Sequence, residues 1–244
     1  MRSNPFIVTL MGLLLPACAS TSTDGSGKAG AATASTTRES GWVTLFDGGD
    51  PSRSFRGFRK DAIPSAWVVK DGCLVHTKSA GDHTAAGDLV TREQYGNFEL
   101  ELEWKVTPGG NSGIFYHATE DTNNIWENAP EMQILDDSTH NDGKDRLTCA
   151  GADYALHPAP VGAVKPVGQW NQVRLVADKG HIQYFLNGVK MCDFRRGSDD
   201  WKARVARSKF SKMPRYATNA RGHIGLQDHG DEVWFRNIRV RSLD

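Results

Sequence analysis

The chain has 244 residues, and its 29 basic and 29 acidic side chains give no formal net charge. A neutral chain lacks the clustered positive charge that displaces counterions from nucleic acid, so no nucleic-acid partner is expected. The length suits one domain of about 200 residues preceded by a leader. The 25 glycines and seven tryptophans are typical of a turn-rich β protein that offers flat aromatic faces, although core packing is the more common explanation for any single tryptophan.

Residues 1–18 have the pattern of an export signal. Arg2 supplies the positive start, and the mainly apolar stretch 6–15 is too short to cross a bilayer. The four residues 15–18 (LPAC) resemble a bacterial lipobox, which implies cleavage before Cys18 and acylation of its thiol; Pro16 departs from the usual pattern. An ordinary signal peptide is the alternative. Both interpretations predict export to the periplasm or cell envelope, and the first predicts membrane attachment through the lipid only.

Residues 19–40 are mainly Ser, Thr, Gly and Ala, a composition that predicts a flexible tether. The globular domain is predicted to occupy residues 41–244. Its three cysteines, Cys73, Cys149 and Cys192, cannot all pair with one another because their number is odd. No Cys-x-x-Cys or mixed His/Cys spacing indicates a zinc site.

From Gly41 onward the predicted elements are strands. Residues 67–70 and 73–76 flank an Asp-Gly pair and predict a hairpin. Residues 98–106 alternate between apolar and charged, so one face should be buried and the other wet. A turn is expected at 109–113, and further strands at 114–116, 131–135, 172–177, 181–186, 189–194, 224–226 and 233–240. Strands at this spacing predict an all-β, two-sheet antiparallel sandwich of the jelly-roll class.

One stretch breaks the strand pattern. Ser198 is a suitable N-cap, and residues 199–207 are mostly good helix formers. We therefore predict one short surface helix within a long insertion.

The strand predicted at 131–135 carries the strongest indication of a site. Glu131 and Gln133 point to one face, and Met132 and Ile134 to the other. The apolar pair should face the core, so Glu131 and Gln133 should project outward together. Such residues are often simply solvated, but a curved sheet presents this face as a groove.

The spacing Glu-x-Gln-x-x-Asp from Glu131 to Asp136 has a parallel in jelly-roll glycosidases. Those enzymes carry Glu-x-Asp-x-x-Glu on such a strand, with a bulge that brings the last carboxylate to the same face. In this chain Gln133 replaces the middle acid and the shorter Asp136 the last. A conventional glycosidase using Glu131 and Asp136 is therefore kept as an alternative that fits the pattern imperfectly.

Two more segments contribute candidates. Gln227 and His229 share a face near the end of a predicted strand, and a histidine can move a proton near neutral pH. A bond from His229 to a backbone carbonyl is the structural alternative. In the segment 109–113 (GGNSG), glycine lets the backbone approach a ligand and Asn111 can bind hydroxyls, but a plain tight turn is equally compatible.

An irregular segment adds three residues that could edge a groove: Tyr154, His157 and Lys165.

Seven motifs occur together in one order: WVTLFDG (42–48), YGNFEL (95–100), GGNSGI (109–114), PEMQILD (130–136), KPVGQWN (165–171), IGLQDHG (224–230) and VWFRNI (233–238). The set resembles the 3-keto-disaccharide hydrolase domain family over essentially all of residues 41–244. The resemblance implies a jelly roll of the concanavalin A-like or laminin G-like type. It also implies an exported enzyme that cleaves glycosides whose glucosyl C3 is a ketone.

Such a ketone acidifies the proton on C2, so cleavage needs a base, an acid for the leaving oxygen and donors for the enolate oxygen. We assign proton transfer to Glu131 and His229. Asn111, Gln133, Tyr154 and Gln227 are assigned to the carbohydrate substrate, and Lys165 to the enolate. The sequence requires no cofactor, and a divalent metal held by Asp136 or Glu131 with His229 is the alternative to Lys165. A non-catalytic carbohydrate-binding module is the other alternative.

Overall fold

Two antiparallel β-sheets enclose the core of the protein. The computed structural model describes residues 41–78 and 86–244. The predicted signal (1–18), with its lipid site at Cys18, and the predicted tether (19–40) lie outside the described residues. No helix in the described ranges is both long and apolar enough to span a membrane.

The strands are β1 (Trp42–Phe46), β2 (Phe55–Gly57), β3 (Trp67–Lys70), β4 (Cys73–His76), β5 (Leu89–Thr91), β6 (Phe98–Val106), β7 (Asn111–Ala118), β8 (Glu131–Leu135), β9 (Asn171–Asp178), β10 (His181–Leu186), β11 (Val189–Arg195), β12 (His223–Leu226) and β13 (Val233–Ser242). The larger sheet has the order β11-β10-β9-β6-β13-β4-β3, with β1 also paired to β13. The smaller sheet has the order β2-β5-β12-β7-β8. The predicted two-sheet jelly-roll sandwich is confirmed.

Alternation in the sequence decides which side chains enter the core. Along β6 the residues of even number from Phe98 to Val106 are buried between the sheets, and the charged residues between them project from the larger sheet. The predicted hairpin of β3 and β4 forms around Asp71 and Gly72, whose φ angles of 51° and 69° suit a tight hairpin turn.

The single α-helix of the described chain, α1 (Asp199–Arg207), matches the predicted helix. The Ser198 hydroxyl accepts a hydrogen bond from the Trp201 backbone N–H, as expected of an N-cap. Four short 3-10 helices accompany it at Pro51–Arg53, Ile125–Glu127, Asn141–Lys144 and Lys209–Lys212. The three cysteines in the described ranges are all buried and unpaired.

The turn predicted at 109–113 is shorter than expected. The Gly110 N–H bonds to the Thr107 carbonyl, and β7 then begins at Asn111, which pairs with Leu135 of β8. The strand extends this far back because β8 offers partners for residues 111–113. Asn111 therefore projects from a sheet rather than from a loop.

Candidate active site

Strand β8 divides its side chains between the core and a cleft. Met132 and Ile134 are fully buried in the core between the sheets. Glu131 and Gln133 project from the opposite face of the smaller sheet and line the cleft. The predicted orientation of all four residues is thus confirmed.

The cleft has a volume of about 380 Å³, within the range of about 300–1,000 Å³ usual for small-molecule sites. Apart from Met213, its lining consists of polar, charged and aromatic side chains, which come from strands and from loops: Asn111, Trp126, Glu131, Gln133, Tyr154, Lys209, Gln227 and His229. Six of the seven residues assigned to catalysis or substrate binding from the sequence lie here. Lys165 does not.

A glycine in β7 leaves room for the Glu131 side chain on this face of the sheet. Gly113 of β7 faces Gln133, and a Cβ on Gly113 would lie only 2.2 Å from Oε1 of Glu131. The Glu131 side chain therefore lies directly over the Gly113 backbone. Beside the cleft, the same sheet face is covered by an apolar cluster that includes Phe115 and Ile125.

Glu131 is 6 % exposed, and no residue in the described ranges donates a hydrogen bond to its carboxyl group. Burial raises the pKa of Glu131 to about 8. The negative charges of Asp88 and Asp153 also raise this pKa, whereas the positive charge of Lys209 lowers it. The group is consequently protonated at neutral pH. A carboxylic acid held neutral in this way can donate a proton.

Three amide side chains next to Glu131 have oxygens without partners. Oδ1 of Asn111, Oε1 of Gln133 and Oε1 of Gln227 are buried, and within the described part of the chain none of them accepts a hydrogen bond. A buried polar atom left unpaired costs about 1–3 kcal/mol. Three such atoms around one cleft are suited to accept hydrogen bonds from the hydroxyl groups of a ligand.

Lys209 supplies the positive charge of the cleft. It begins the 3-10 helix after α1, and its Nζ lies 4.2 Å from the centre of the Tyr154 ring. Partial burial lowers the pKa of Lys209, while the charges of Glu131 and Asp142 oppose that shift. The Tyr154 hydroxyl donates to Oδ2 of Asp142 at 3.1 Å, and burial raises the Tyr154 pKa to about 12, so the phenol stays neutral.

The sequence interpretation missed Lys209. It lies in the insertion that was predicted to be a surface element, and nothing in its local pattern separates it from the other lysines. Only the packing of that insertion against Tyr154 brings it to the cleft.

His229 lies at the edge of the cleft, with its side chain 47 % exposed. Its Nδ1 lies 3.4 Å from Oδ2 of Asp231, so its polar contact is a carboxylate rather than the backbone carbonyl considered above. His157 has a different role. Its Nδ1 lies 2.8 Å from Oδ2 of Asp153 and its ring stacks on Phe194, away from the cleft.

The structure does not bring Lys165 to the cleft. Its Nζ donates to the Trp170 carbonyl at 3.0 Å, and its backbone N–H donates to Oδ1 of Asn171 at 2.8 Å. Asn171 is the first residue of β9, which belongs to the larger sheet. These bonds therefore hold Lys165 beside the larger sheet, whereas the cleft lies on the smaller one. The enolate-binding role assigned to Lys165 is corrected on this ground.

Asp136 is also absent from the lining of the cleft. Its carboxylate accepts from the Gly109 N–H at 2.8 Å, from the N–H and hydroxyl of Ser138 at 3.0 and 2.5 Å, and from the Thr139 hydroxyl. Burial opposes ionisation, but these bonds lower the Asp136 pKa to about 2. They occupy about all the acceptor positions of a carboxylate, so Asp136 does not fit the role of a metal ligand. In the described ranges no group of three or more His, Cys, Asp or Glu side chains is placed to hold a metal ion.

A wider groove of about 800 Å³ crosses the outer face of the larger sheet. Its charges are paired: Glu101 with Arg239 at 2.6 Å, and Arg174 with Glu99. The unpaired buried polar oxygens of the candidate substrate-binding amides all lie in the cleft of the smaller sheet. The cleft is therefore the stronger candidate for catalysis.

Comparisons with known proteins identify the family of the chain. A family model described as the 3-keto-alpha-glucoside-1,2-lyase-like domain matches residues 41–241. A 3-keto-disaccharide hydrolase from Bacteroides thetaiotaomicron is 39% identical over 230 residues, covering 84% of this chain and 79% of the relative. The crystal structure of a candidate glycosyl hydrolase from Parabacteroides distasonis has 31% identity and a TM-score of 0.76, and covers 84% of this chain and 94% of the other. A second such structure from the same organism has 32% identity and a TM-score of 0.64, and covers 83% and 99%.

Proposed function

The chain belongs to the 3-keto-disaccharide hydrolase family, and we propose that it cleaves the glycosidic bond of glycosides whose glucosyl C3 has been oxidised to a ketone. The observation that carries this proposal is the buried carboxyl group of Glu131, which has no hydrogen-bond partner among the described residues, together with three nearby amide oxygens that lack donors in the same ranges. The cleft thus offers an acid and binding groups for hydroxyls in one place.

The first step is removal of the C2 proton. His229 is the base, because it lines the cleft, and the Asp231 carboxylate 3.4 Å from its Nδ1 can orient the imidazole. The electron pair of the C2–H bond forms the C2–C3 double bond of an enolate. The ammonium group of Lys209 lies in the same cleft as Glu131 and stabilises the negative oxygen on C3.

The second step breaks the C1–O bond. The enolate collapses to restore the ketone, a C1–C2 double bond forms, and the bonding pair leaves with the glycosidic oxygen. Glu131 donates its proton to that oxygen. Water then adds across the new double bond, with hydroxide at C1 and a proton returned to C2 from His229. The proton lost by water restores Glu131, and the sum is hydrolysis.

The two alternatives fit the site less well. A conventional glycosidase needs a second carboxylate beside Glu131, but the Asp136 carboxylate is held by the loop at the end of β8. A binding module would use Trp126 and the amides, but it would gain nothing from burying an acid that has no partner. The cost of that burial favours an enzyme.

The test compares p-nitrophenyl glucoside with its 3-keto form, after subtraction of spontaneous elimination. Release from the keto form alone is expected. Similar release from the unoxidised glucoside would indicate a conventional glycosidase, and sugar binding with no release would indicate a binding module. Assays with and without a chelator test the metal alternative. Loss of activity with the chelator would indicate that a metal ion, rather than Lys209, stabilises the enolate.

We further propose that the enzyme acts outside the cytoplasm, attached to the envelope by lipid at Cys18. The support is the apolar stretch that precedes the LPAC sequence. Mass spectrometry of the mature protein should find an acylated Cys18 at the N-terminus. Cleavage at a later residue without an acyl group would contradict the anchor.

A further inference from the structure

A buried histidine contacts the turn that carries His229. His76 is the last residue of β4 in the larger sheet, and it is 1 % exposed. Its ring lies between the two ends of the turn: Nε2 is 2.9 Å from Oδ1 of Asp228, and Nδ1 is 2.8 Å from the carbonyl oxygen of Asp231. His76 does not line the cleft, so it would act on the reaction only through this turn.

The contacts of His76 require both ring nitrogens to carry hydrogen. A backbone carbonyl can only accept a hydrogen bond, so Nδ1 must donate to Asp231. Burial opposes the ionisation of Asp228, but the neighbouring His76 and the Gly87 N–H lower its pKa to about 2. An unprotonated Nε2 would be repelled by this carboxylate at 2.9 Å. Burial lowers the pKa of His76, but the contacts with Asp228 and Asp231 outweigh burial and raise it, which favours an imidazolium.

Three further bonds hold the turn at Asp228. Its Oδ2 accepts from the Gly87 N–H at 2.7 Å, and its Oδ1 accepts from the Gly230 N–H at 2.9 Å. The Asp228 N–H donates to Oδ1 of Asp88 at 2.9 Å. Gly87 and Asp88 immediately precede β5 of the smaller sheet, whereas His76 belongs to the larger one. Asp228 is therefore held by both sheets.

The turn supports two residues of the cleft in different ways. Gln227 is held through its own backbone, because its N–H donates to the Gly113 carbonyl at 2.9 Å and its carbonyl accepts from the Ser112 hydroxyl at 2.8 Å. In the described ranges no hydrogen bond holds the backbone of His229, and its side chain contacts only Oδ2 of Asp231, at 3.4 Å. The position of His229 therefore depends on its neighbours in the turn.

A buried ion pair is an unusual way to connect two sheets. Burying charges is costly, and replacing a buried ion pair by apolar side chains often leaves stability unchanged. The pair of His76 and Asp228 is thus better explained by the geometry that it imposes than by the stability that it adds. A displacement of about 1 Å can lower a catalysed rate about 100-fold, so a base in the middle of a turn needs that turn to be fixed.

We infer that His76 is a positioning residue for His229. Its imidazolium group, held between Asp228 and Asp231, fixes the turn from which His229 reaches the C2 proton. The inference rests on the proposed function, because it takes His229 as the base. His76 does not contact the substrate in this arrangement, so its loss should slow proton transfer and leave sugar binding unchanged.

The test is a double-variant cycle on p-nitrophenyl 3-keto-glucoside. His76→Gln keeps a hydrogen-bond donor but removes the charge, and should lower kcat about 10- to 100-fold with KM within about twofold of wild type. His229→Ala should lower kcat about 100-fold. In the His229→Ala background, His76→Gln should cost less than about a further twofold, because both residues act on one step. Thr77→Val is the matched control: it removes the hydroxyl bonded to the Ala66 carbonyl at 3.0 Å, next to His76, and should leave kcat within about twofold of wild type.

Two results would overturn the inference. An equal loss from His76→Gln in both backgrounds would show that His76 only supports the fold, and an unchanged kcat in the single variant would show that the turn does not need it. If the wild-type protein released no p-nitrophenol from the keto-glucoside, or if His229→Ala were fully active, the proposed function or its base would fail instead.

A second measurement is independent of activity. Hydrogen exchange, followed by NMR, should show the Gly230 N–H exchanging at least about tenfold faster in His76→Gln than in wild type, because the Asp228 carboxylate that accepts its bond is no longer held. Unchanged exchange would overturn the inference even if no substrate were cleaved. If His76→Gln does not fold, Asp228→Asn removes the same ion pair with a side chain of equal size and takes its place in the kinetic cycle, with the same expected losses.

Discussion

The two sheets differ in whether the acidic side chains on their outer faces are paired. On the larger sheet, Glu99, Glu101 and Glu103 of β6 each pair with arginines from neighbouring strands, and Arg236 and Arg239 lie 2.6 Å from their partners. On the smaller sheet, the carboxyl group of Glu131 has no donor in the described ranges, and the amides around it have oxygens without partners.

The paired glutamates of the larger sheet contribute to the stability of the fold, whereas Glu131 and the amides around it reduce that stability. Exposed ion pairs contribute about 0–1 kcal/mol each, but here they give each of the three glutamates of β6 an arginine partner. A buried carboxyl group without a partner reduces stability, so its retention needs a reason outside the fold.

Glu131→Gln should have the largest effect. It keeps the size and polarity of the side chain but removes the proton donor, so kcat/KM for a 3-keto-glucoside should fall about 100-fold or more. The folded protein should be at least as stable as wild type at neutral pH, because a buried ionisable group has been removed. Steady-state kinetics and thermal unfolding measure the two quantities.

Glu99→Gln on the larger sheet is the matched control and should behave in the opposite way. Glu99 is buried and bonded to Arg174 and Arg241, so the variant should lose about 1–3 kcal/mol of stability while the folded fraction keeps its activity. If Glu131→Gln lost stability and Glu99→Gln lost activity, the division between the two faces would be wrong.

Gly113→Ala should lower kcat by between about 10- and 100-fold. The new methyl group would lie 2.2 Å from Oε1 and 2.8 Å from Cδ of Glu131, so the carboxyl group must move off its position. Gly49→Ala is the control, since its nearest contact would be Oδ1 of Asp47 at 3.4 Å and its backbone suits alanine. Unchanged kcat in Gly113→Ala would show that the acid does not act from its observed position.

Activity should fall above about pH 8, by about tenfold for each further pH unit, because the protonated form of Glu131 is the active one. Stability should follow the same direction. The folded carboxyl group binds its proton more tightly than the unfolded one, so its contribution to folding is present below about pH 4.5 and is lost as the pH rises to about 8.

The pH prediction is checked by rate profiles corrected for spontaneous elimination and by denaturant unfolding at several pH values. Relative to wild type, Glu131→Gln should become progressively more stable between those two pH values. Lys209→Arg separates the lysine from the glutamate, because arginine stays charged across the range. Disappearance of the alkaline decline in Lys209→Arg would assign it to the lysine instead.

Local patterns in the sequence were sufficient to predict much of the fold. The alternation along β6 and β8 gave the orientation of Glu131 and Gln133, the Asp71-Gly72 pair gave a hairpin, and Ser198 gave the helix start. Each of these depends on residues that are close in the chain. Short strands such as β2 and β5 were missed, because three residues are too few to show a period.

The electrostatics of the site could not be predicted in the same way. The burial of Glu131 depends on packing by distant segments. The acceptor positions of the Asp136 carboxylate are filled only when the loop with Ser138 and Thr139 folds onto it. The position of Lys209 likewise depends on how the insertion packs. Side-chain type and spacing identified the candidates, but three-dimensional contacts decided among them.

The two lysines provide the last and smallest contrast. Lys209→Ala should reduce kcat/KM by about tenfold, because it removes the positive charge of the cleft. Lys165→Ala should stay within about twofold of wild type, since its ammonium group bonds to the Trp170 carbonyl and lies outside the cleft. Each variant removes one lysine ammonium group from a partly or fully exposed position, so each serves as the control for the other. A larger loss in Lys165→Ala than in Lys209→Ala would restore the assignment made from the sequence and would require the segment around Lys165 to reach the cleft when substrate binds.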